Sequence, residues 1–457
     1  MKNKIAIFLT GCIVLMLSSC LGTADNPNYQ LLKNCQITSF SLKSDSVPGL
    51  DKVKFTIDQV NGLIFNLDSM PYGTKIKKVV CTVSFAGGVV SSQILYEGSK
   101  DTVWWNATDS LDFAKPVTFK NYAYDGLTTK SYLAQVNIHQ VVPDSMVWSR
   151  YADPMIGQTV QEQKVIVYTS SDKTESYYMY AKPVDAKKGY QLYTASMANP
   201  KSWKEQPVSG LPISGVVLSQ IAEHEGMLYV PTAQGALYSS SDGQAWALVE
   251  KTPFVKSILG AIKSGVNQPS VLATIVRNGD ALSFAAMNSA REWTTGVAVP
   301  ANFPISGFGN VMYNSMYHEL LMVVAGKDNS NRLTNAAWGT MTATDWVLLT
   351  DTESSYFEKR DGVMLTKYDN KLFLVGGINE AGKASKDIIL STDNGVTWSK
   401  VDTMIALPKE YKARAYGSML VDKDNYLLIF GGKESNSANS LDELWRGRIN
   451  RLGFKKQ

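Results

Sequence analysis

A tryptophan preceded by a polar turn recurs from about residue 146 to the C-terminus, and its spacing restricts the fold more than any other feature of the chain. The tryptophans stand at 148, 203, 246, 293, 346 and 398, so successive intervals are 55, 43, 47, 53 and 52 residues. The best-formed copy runs from Ile388-Ile389-Leu390 into Ser391-Thr392-Asp393-Asn394-Gly395-Val396-Thr397-Trp398. An apolar strand enters a turn in which Asp393 can accept amide N–H groups and Gly395 can take a positive φ. Trp398 then opens the next strand and is expected to pack between neighbouring sheets. Weaker copies lead from Leu237-Tyr238 through Ser241-Asp242-Gly243 to Trp246, from Leu282-Ser283-Phe284 through Asn288 to Trp293, from Leu192-Tyr193 through Asn199-Pro200 to Trp203, and from Trp338 through Thr342 and Thr344 to Trp346. A period of roughly 40–50 residues with several short strands per unit marks a β-propeller. The competing readings are an open solenoid and a pair of β-sandwiches.

The full turn resembles the Asp-box, a hairpin turn known from sialidases and other β-propellers. A second signature lies upstream. Leu372-Phe373-Leu374-Val375-Gly376-Gly377 and Leu427-Leu428-Ile429-Phe430-Gly431-Gly432 are apolar strands ending in a glycine pair, and Leu321-Met322-Val323-Val324-Ala325-Gly326 is a degenerate version. This resembles the kelch repeat, in which the pair follows the second strand of each blade. Arg360-Asp361-Gly362 and Arg414-Ala415-Tyr416-Gly417 stand where kelch blades begin. The last unit lacks a downstream tryptophan strand, whereas Val147-Trp148-Ser149-Arg150 matches Thr397-Trp398-Ser399-Lys400. The strand at Trp148 is therefore expected to close the last of six blades, leaving no unpaired edge at the seam.

The N-terminus reads as a targeting segment over residues 1–20. Lys2 and Lys4 form a positive start, Ile5 to Leu17 is apolar, and Leu17-Ser18-Ser19-Cys20 follows. That tetrapeptide resembles the bacterial lipobox, which implies cleavage before Cys20 and lipidation of its thiol. An ordinary secretory signal cleaved near Ser19 or Gly22 is the alternative. Residues 21–32 read as a polar tether. Residues 33–143 carry about seven short alternating runs, which suggests an immunoglobulin-like sandwich. The runs are Gln36–Leu42, Val53–Ile57, Leu63–Asn66, Ile76–Phe85, Thr102–Trp105, Val117–Tyr122 and Tyr132–His139. The stretch from Gly62-Leu63-Ile64-Phe65-Asn66 to Pro71-Tyr72-Gly73-Thr74 resembles surface lipoproteins of gut-type Gram-negative anaerobes that couple a sandwich to a second β domain. The resemblance implies an outer-membrane anchor and a fold; it carries no activity. The expected organisation is signal 1–20, tether 21–32, sandwich 33–143 and propeller 144–457.

Charge excludes one partner class. The formal net charge is +4, and removal of Lys2 and Lys4 with the signal lowers it to +2. Nothing there suggests a nucleic-acid partner. Of four cysteines, Cys12 leaves with the signal and Cys20 takes lipid; Cys35 and Cys81 read more readily as two buried thiols than as a disulfide. His139, His224 and His318 have no second histidine at metal spacing, and no phosphate loop, nucleophile elbow or dinucleotide fingerprint is present, so no metal or cofactor is expected. Sialidase chemistry needs an Arg triad whose first motif has no counterpart after Trp148.

Candidate ligand contacts are Arg360 and Arg414, at equivalent points of consecutive blades, with Tyr416, and Tyr368 beside it, as stacking surfaces. Two guanidinium groups beside one channel can bind a carboxylate or acidic sugar bidentately. The competing role is to tie down neighbouring loops. Asp393, Gly395, Trp398, Gly376, Gly377, Gly431 and Gly432 are read as structural turn residues. The functional expectation is a lipid-anchored envelope binding protein, with glycan or envelope protein held at one propeller face. A carbohydrate-active enzyme, either a glycosidase or a kelch-type sugar-acid epimerase, is the alternative.

Overall fold

The computed structural model describes residues 32–185, 187–265, 268–314, 318–351 and 357–451. Cys20 and the signal segment lie outside them, as do residues 21–31 of the tether. Among the described residues the chain is all-β, with strands, two short 3-10 turns and no α-helix. It divides into two compact units, one holding the described residues up to Val142 and the other spanning Pro143–Arg451.

The first unit is a two-sheet sandwich. One sheet has the order Ile37–Lys43, Val79–Phe85, Ser110–Leu111. The other has the order Phe55–Asp58, Leu63–Asn66, Thr129–Gln135, Val117–Ala123, Val89–Tyr96, Val103–Trp104. Alternation turns Val117 and Phe119 of one sheet toward Ile37, Leu42 and Cys81 of the other, in a single core. Phe40 meets Phe55, Phe113 and Phe119 edge-on within it, the arrangement aromatic rings prefer. Nine strands form where the alternating pattern suggested seven; Val89–Tyr96 and Ser110–Leu111 are additional. Val89–Tyr96 escaped notice because Ser91-Ser92 interrupts its apolar run. Inside the sheet Ser92 is buried and donates to Asn121 Oδ1 at 2.8 Å, so a satisfied polar pair occupies a core position. Leu63–Asn66 and Thr129–Gln135 pair in parallel. Cys35 and Cys81 are buried free thiols, and burial pushes the Cys81 thiol up to about 12.

The second unit is a six-bladed β-propeller of four-stranded antiparallel sheets. From innermost to outermost strand, blade I is Val160–Thr169, Glu175–Pro183, Gln191–Ser196 and Lys204–Gln206. Blade II is Ala222–His224, Met227–Pro231, Leu237–Ser240 and Ala247–Leu248. Blade III is Phe254–Ile262, Val271–Asn278, Ala281–Met287 and Trp293–Ala298. Blade IV is Gly309–Asn314, Glu319–Lys327, Leu333–Thr340 and Val347–Thr350. Blade V is Asp361–Tyr368, Lys371–Ile378, Ile388–Ser391 and Ser399–Lys400. Blade VI is Ser418–Val421, Leu427–Phe430, Leu444–Ile449 and, from the other end of the chain, Met146–Arg150. Met146 pairs with Ile449 and Arg150 with Trp445 in that closing ladder.

Each gap between adjacent blades is filled by its own apolar core, and each core contains one of the repeating tryptophans. Trp398 sits with Met322 and Val324 of blade IV and Leu374 of blade V. Trp246 joins blades I and II through Tyr180 and Leu228, and Trp203 joins blades VI and I through Phe430 and Tyr177. A blade has an apolar face on both sides and buries them only when the next blade is present, so the ring closes its cores cooperatively.

The turns explain the motif. Asp393 accepts the Thr397 N–H at 2.9 Å, Ser391 Oγ accepts the Gly395 N–H at 2.8 Å, and Trp398 Nε1 donates to the Gly395 carbonyl at 3.1 Å. Blade II repeats the pattern with Ser240, Asp242, Gly243 and Trp246. Blade IV keeps it without an aspartate: Thr340 Oγ1 accepts the Ala343 N–H and Trp346 Nε1 donates to the Ala343 carbonyl. The indole therefore closes the turn through its N–H and fills the blade seam with its rings.

Candidate functional site

The innermost strands of all six blades line a central channel. At one end it forms a mouth cavity of about 510 Å³, and further along the innermost strands a second cavity of about 320 Å³. Lys164, Ser219, Phe308, Val363 and Gly417 border both, one residue from each of five blades, and form the neck between them.

Three lysines, Lys164, Lys182 and Lys433, line the mouth with a single carboxylate, Glu162. Glu162 and Lys164 are two residues apart on one strand, and Glu162 faces Lys182 in the ladder. Among the described residues no carboxylate or hydrogen-bond acceptor meets the Lys164 side chain, and burial pulls its ammonium down to about 8. Gln163, 7% exposed, donates from Nε2 to the Leu441 carbonyl at 3.2 Å, while its Oε1 has no partner. A side chain at Gly431 would overlap the Gln163 amide, so Gln163 packs into the seam between blades I and VI. Gln220, by contrast, is satisfied at both ends, accepting from Ile258 N–H and donating to the Ile305 carbonyl.

Tyr416 lines the mouth. Its backbone takes φ 57°, and a side chain at Gly362 would strike its ring at 2.8 Å, so glycine is required there. The Tyr416 hydroxyl donates to Asp361, whose carboxylate also meets Lys327 Nζ at 2.6 Å. Burial and the Asp361 charge push the phenol well above its usual range. A relay of backbone bonds, Tyr416 N–H to Gly362 carbonyl and Gly362 N–H to Gly307 carbonyl, both 2.7 Å, holds blades IV, V and VI together at this rim.

Arg360 and Arg414 do not line the cavity, so the expected pair of guanidinium groups at the channel is not formed. Arg414 is fully buried; it donates to the Gly431 carbonyl at 3.0 Å and the Lys412 carbonyl at 2.9 Å, and pairs with Glu443 at 2.8 Å. Its guanidinium also lies over the Tyr411 ring. Arg360 repeats this in blade V, donating to the Gly376 carbonyl at 3.3 Å and reaching Asp387 at 3.5 Å. The glycine pairs make room for these arginines. A side-chain carbon at Gly377 would stand 2.9 Å from Arg360 Cβ, and one at Gly432 would stand 3.1 Å from Arg414 Cδ. All four glycines, 376, 377, 431 and 432, also have positive φ. Tyr368 is buried in the seam between blades V and VI, donating to the Asn425 carbonyl at 3.1 Å.

Lys164, Gln163, Lys182 and Lys433 are the residues that motif reasoning passed over. The available signal was two charges spaced by two ahead of the apolar Val165-Ile166-Val167 run in the innermost strand of blade I, which alternation turns to the same side.

The profile of the DUF6242 beta propeller domain matches residues 142–457, and that of the DUF6242 N-terminal domain matches residues 29–136. The chain belongs to the DUF6242 family. In this DUF6242 chain the two matches follow the two compact units of the fold. No curated protein matches it. Among the described residues of the DUF6242 chain, no group of three or more His, Cys, Asp or Glu is placed to hold a metal ion, and no helix is long and apolar enough to cross a membrane. What the DUF6242 channel mouth offers chemically is fixed positive charge, one acid and apolar surface from Phe308 and Val363.

Proposed function

We propose that this DUF6242 chain is a lipid-anchored cell-envelope binding protein that holds an anionic ligand at the mouth of its propeller channel. The observation that carries the reading is the mouth itself, where Lys164, Lys182 and Lys433 line a cavity of about 510 Å³ that holds one carboxylate, Glu162. That volume is within the roughly 300–1,000 Å³ of small-molecule sites, and propellers gather loops of all blades around one such opening. The anchor is lipid on Cys20, in the outer membrane, with the sandwich taken as immunoglobulin-like and the blades as kelch-type with Asp-box turns. Acidic glycan ends and acidic segments of envelope proteins are the ligands in view. Glycoside hydrolysis by paired acids needs two carboxylates, and the mouth supplies Glu162 alone.

The test is a glycan array and thermal-shift screen on soluble protein lacking residues 1–20, beside a Lys182→Ala/Lys433→Ala variant. A ligand that binds the native form stabilises it by RT ln(1 + [L]/Kd). Acidic ligands are expected to raise the melting temperature of the parent and not of the variant. A ligand set indifferent to both lysines would sink the reading.

A further inference from the structure

The chain enters the sandwich at one end and leaves it at the other. At the entry end the Asn34 carbonyl lies against Gly88, where any side chain would strike it, and the Cys35 carbonyl accepts from Asn121 Nδ2 at 3.0 Å. The Gly88 carbonyl accepts the Tyr124 N–H at 3.0 Å, and Lys130 Nζ donates to the Gln59 carbonyl at 2.8 Å. The loops 59–62, 86–88 and 124–128 therefore surround the entering chain. At the far end Met70 N–H donates to the Asn137 carbonyl at 2.8 Å as the chain departs.

Two of the entry loops are built alike. Asp58 Oδ1 accepts the N–H groups of Val60 and Asn61 at 2.9 and 3.0 Å, and Asp125 Oδ1 accepts those of Leu127 and Thr128 at 3.0 and 2.8 Å. Each aspartate staples its turn and leaves an aliphatic residue at the apex, two positions on. Val60 is 92% exposed and Leu127 88%. Tyr124, at the start of the second loop, is exposed as well. A lone apolar side chain on a surface is ordinary, and a polar residue would serve either apex equally well. Here one construction carries an aliphatic apex twice, at one end, around the point where the chain enters. The stapled turns hold both apices away from the protein, so a contact there costs little further ordering.

We propose that the entry end of the sandwich docks on the lipid bilayer, with Val60 and Leu127 dipping into the acyl boundary and Tyr124 at the level of the headgroups. The proposal rests on the anchor read at Cys20 and names the surface of the protein that meets the membrane. Cys20 is twelve residues from Leu32, the first described residue. Twelve residues span at most about 40 Å, so an anchor at Cys20 keeps this end, and no other part of the sandwich so closely, beside the bilayer. Tethering over that reach gives an effective concentration on the order of millimolar, at which a weak contact is populated. Tyrosine suits the headgroup level because its ring is apolar and its hydroxyl is wet. Lys33 and Lys130 stand near Asp125, and Asp58 balances the second lysine, so this end has no excess charge. Apolar insertion, not attraction to anionic lipid, drives the contact.

The experiment replaces residues 1–20 by a hexahistidine segment and holds the protein on nickel-chelating vesicles of phosphatidylcholine, with and without phosphatidylglycerol. Leu127→Cys takes an environment-sensitive nitrobenzoxadiazole probe, and Leu67→Cys, at the far end, takes the same probe as the control. Cys35 and Cys81 are buried, so the introduced thiol is the one labelled. On vesicles the probe at 127 is expected to brighten and shift to the blue to the same extent with either lipid, and the probe at 67 to stay as in water. In unlabelled protein, hydrogen exchange over 59–62 and 124–128 is expected to slow several-fold on vesicles. Val60→Ser/Leu127→Ser is expected to remove that slowing while melting as the parent does, because the two tips stand in water in the free protein. A probe at 127 that stays in water on both vesicles overturns the docking, even where Cys20→Ser releases the native protein from the membrane. Equal shifts at 127 and 67 overturn it too. If Cys20→Ser stays on the membrane while the probe at 127 shifts alone, the anchor falls and the docking surface stands.

Discussion

The backbone carbonyl of Arg414 accepts the amide N–H of Gly377 at 3.0 Å, across the boundary between blades V and VI. The same residue sends its guanidinium the other way, to Gly431 and Glu443 within blade VI. Arg360 does likewise, taking the Gly326 N–H of blade IV at 2.7 Å and donating to Gly376 of blade V. Each arginine is thus a rivet through two blades. Arg414→Ala would take the buried cation from Glu443, 15% exposed, leaving it the exposed Arg150 at 3.3 Å, and would orphan the Gly431 carbonyl, so it is expected to cost about 3–5 kcal/mol. Arg360→Ala should cost less, because Asp387 is more open, lies farther from its arginine at 3.5 Å, and keeps a closer second cation in Lys400 at 2.8 Å. Thermal unfolding of both variants checks the ranking, and equal melting temperatures would refute it.

Gly395 leaves no space for a methyl group. A side-chain carbon there would stand 2.3 Å from Met322 Cε, at a backbone φ of 89°. Gly395→Ala is expected to destabilise by about 1–3 kcal/mol through overpacking, with part of the loss recovered in combination with Met322→Ala. Blade IV shows the contrast: Ala343 holds the same turn position at φ 66° and buries its methyl group in the seam between blades III and IV. A double-mutant cycle in urea measures the coupling.

The turn aspartates give an acid limb to stability. Burial raises the Asp393 carboxyl, yet the hydrogen bonds from Thr397 and Ser391 outweigh it and hold the group below its usual range. Asp242 is held down in the same way by Ala245, Gln244 and Ser240. A carboxyl depressed in the folded state contributes stability above its unfolded pKa, about 3.9, and the contribution is lost as pH falls through the lower, folded value. Asp393→Asn with Asp242→Asn should flatten the melting-temperature profile below about pH 4, and an unchanged profile would rule out these turns as its source.

Lys164 predicts the opposite slope at alkaline pH. Its folded value, about 8, lies below the 10.5 of a free lysine, so between them the unfolded chain binds the proton that the folded chain has released. Stability from this group therefore rises with pH across that window. Lys164→Met should be more stable than the parent near neutrality and lose that rise. A scan of melting temperature from pH 7 to 10 on both proteins decides it, and parallel curves would mean that the amine is solvated.

Cys20→Ser should move the protein from the membrane fraction to the soluble one. Several acyl chains at about 0.8 kcal/mol per buried CH₂ make a stable anchor, and serine cannot receive them at sulfur. Fractionation with fatty-acid labelling reads this directly; retention of the variant on the membrane would require another anchor.

The fold was legible because its signal is redundant. Each tryptophan fills a seam, and Trp246, Trp346 and Trp398 also close a turn, so the spacing survives even where, as at Trp346, the aspartate is gone. In the sandwich the missed strand, Val89–Tyr96, hides a buried Ser92–Asn121 pair that an apolar count scores as loop. The site was read less well for a physical reason. Arg360 and Arg414 have the chemistry of anion binding, but Gly377 and Gly432 clear the space into which they fold back. Asp387 and Glu443, each just before the third strand of its blade, are the acids they meet, and those acids were the sign of an internal role. Lys164 carries no motif, and its place on the channel wall appears only when five other innermost strands surround it.

The closing ladder also fixes how the ring would give way under tension. Met146, where the chain enters, lies directly opposite Ile449, where it leaves, so both ends meet the last blade at one end of an antiparallel pair. A pull on the two ends opens that ladder like a zipper, one pair at a time, instead of shearing all its bonds at once. The clasp stands where the zipper starts: Asp144 N–H to the Asn450 carbonyl at 3.0 Å, Asn450 N–H to the Ser145 carbonyl at 2.8 Å, and Arg451 bridging Asp144 and Asp369. For a chain pulled from its two ends, those few residues are the first to be loaded.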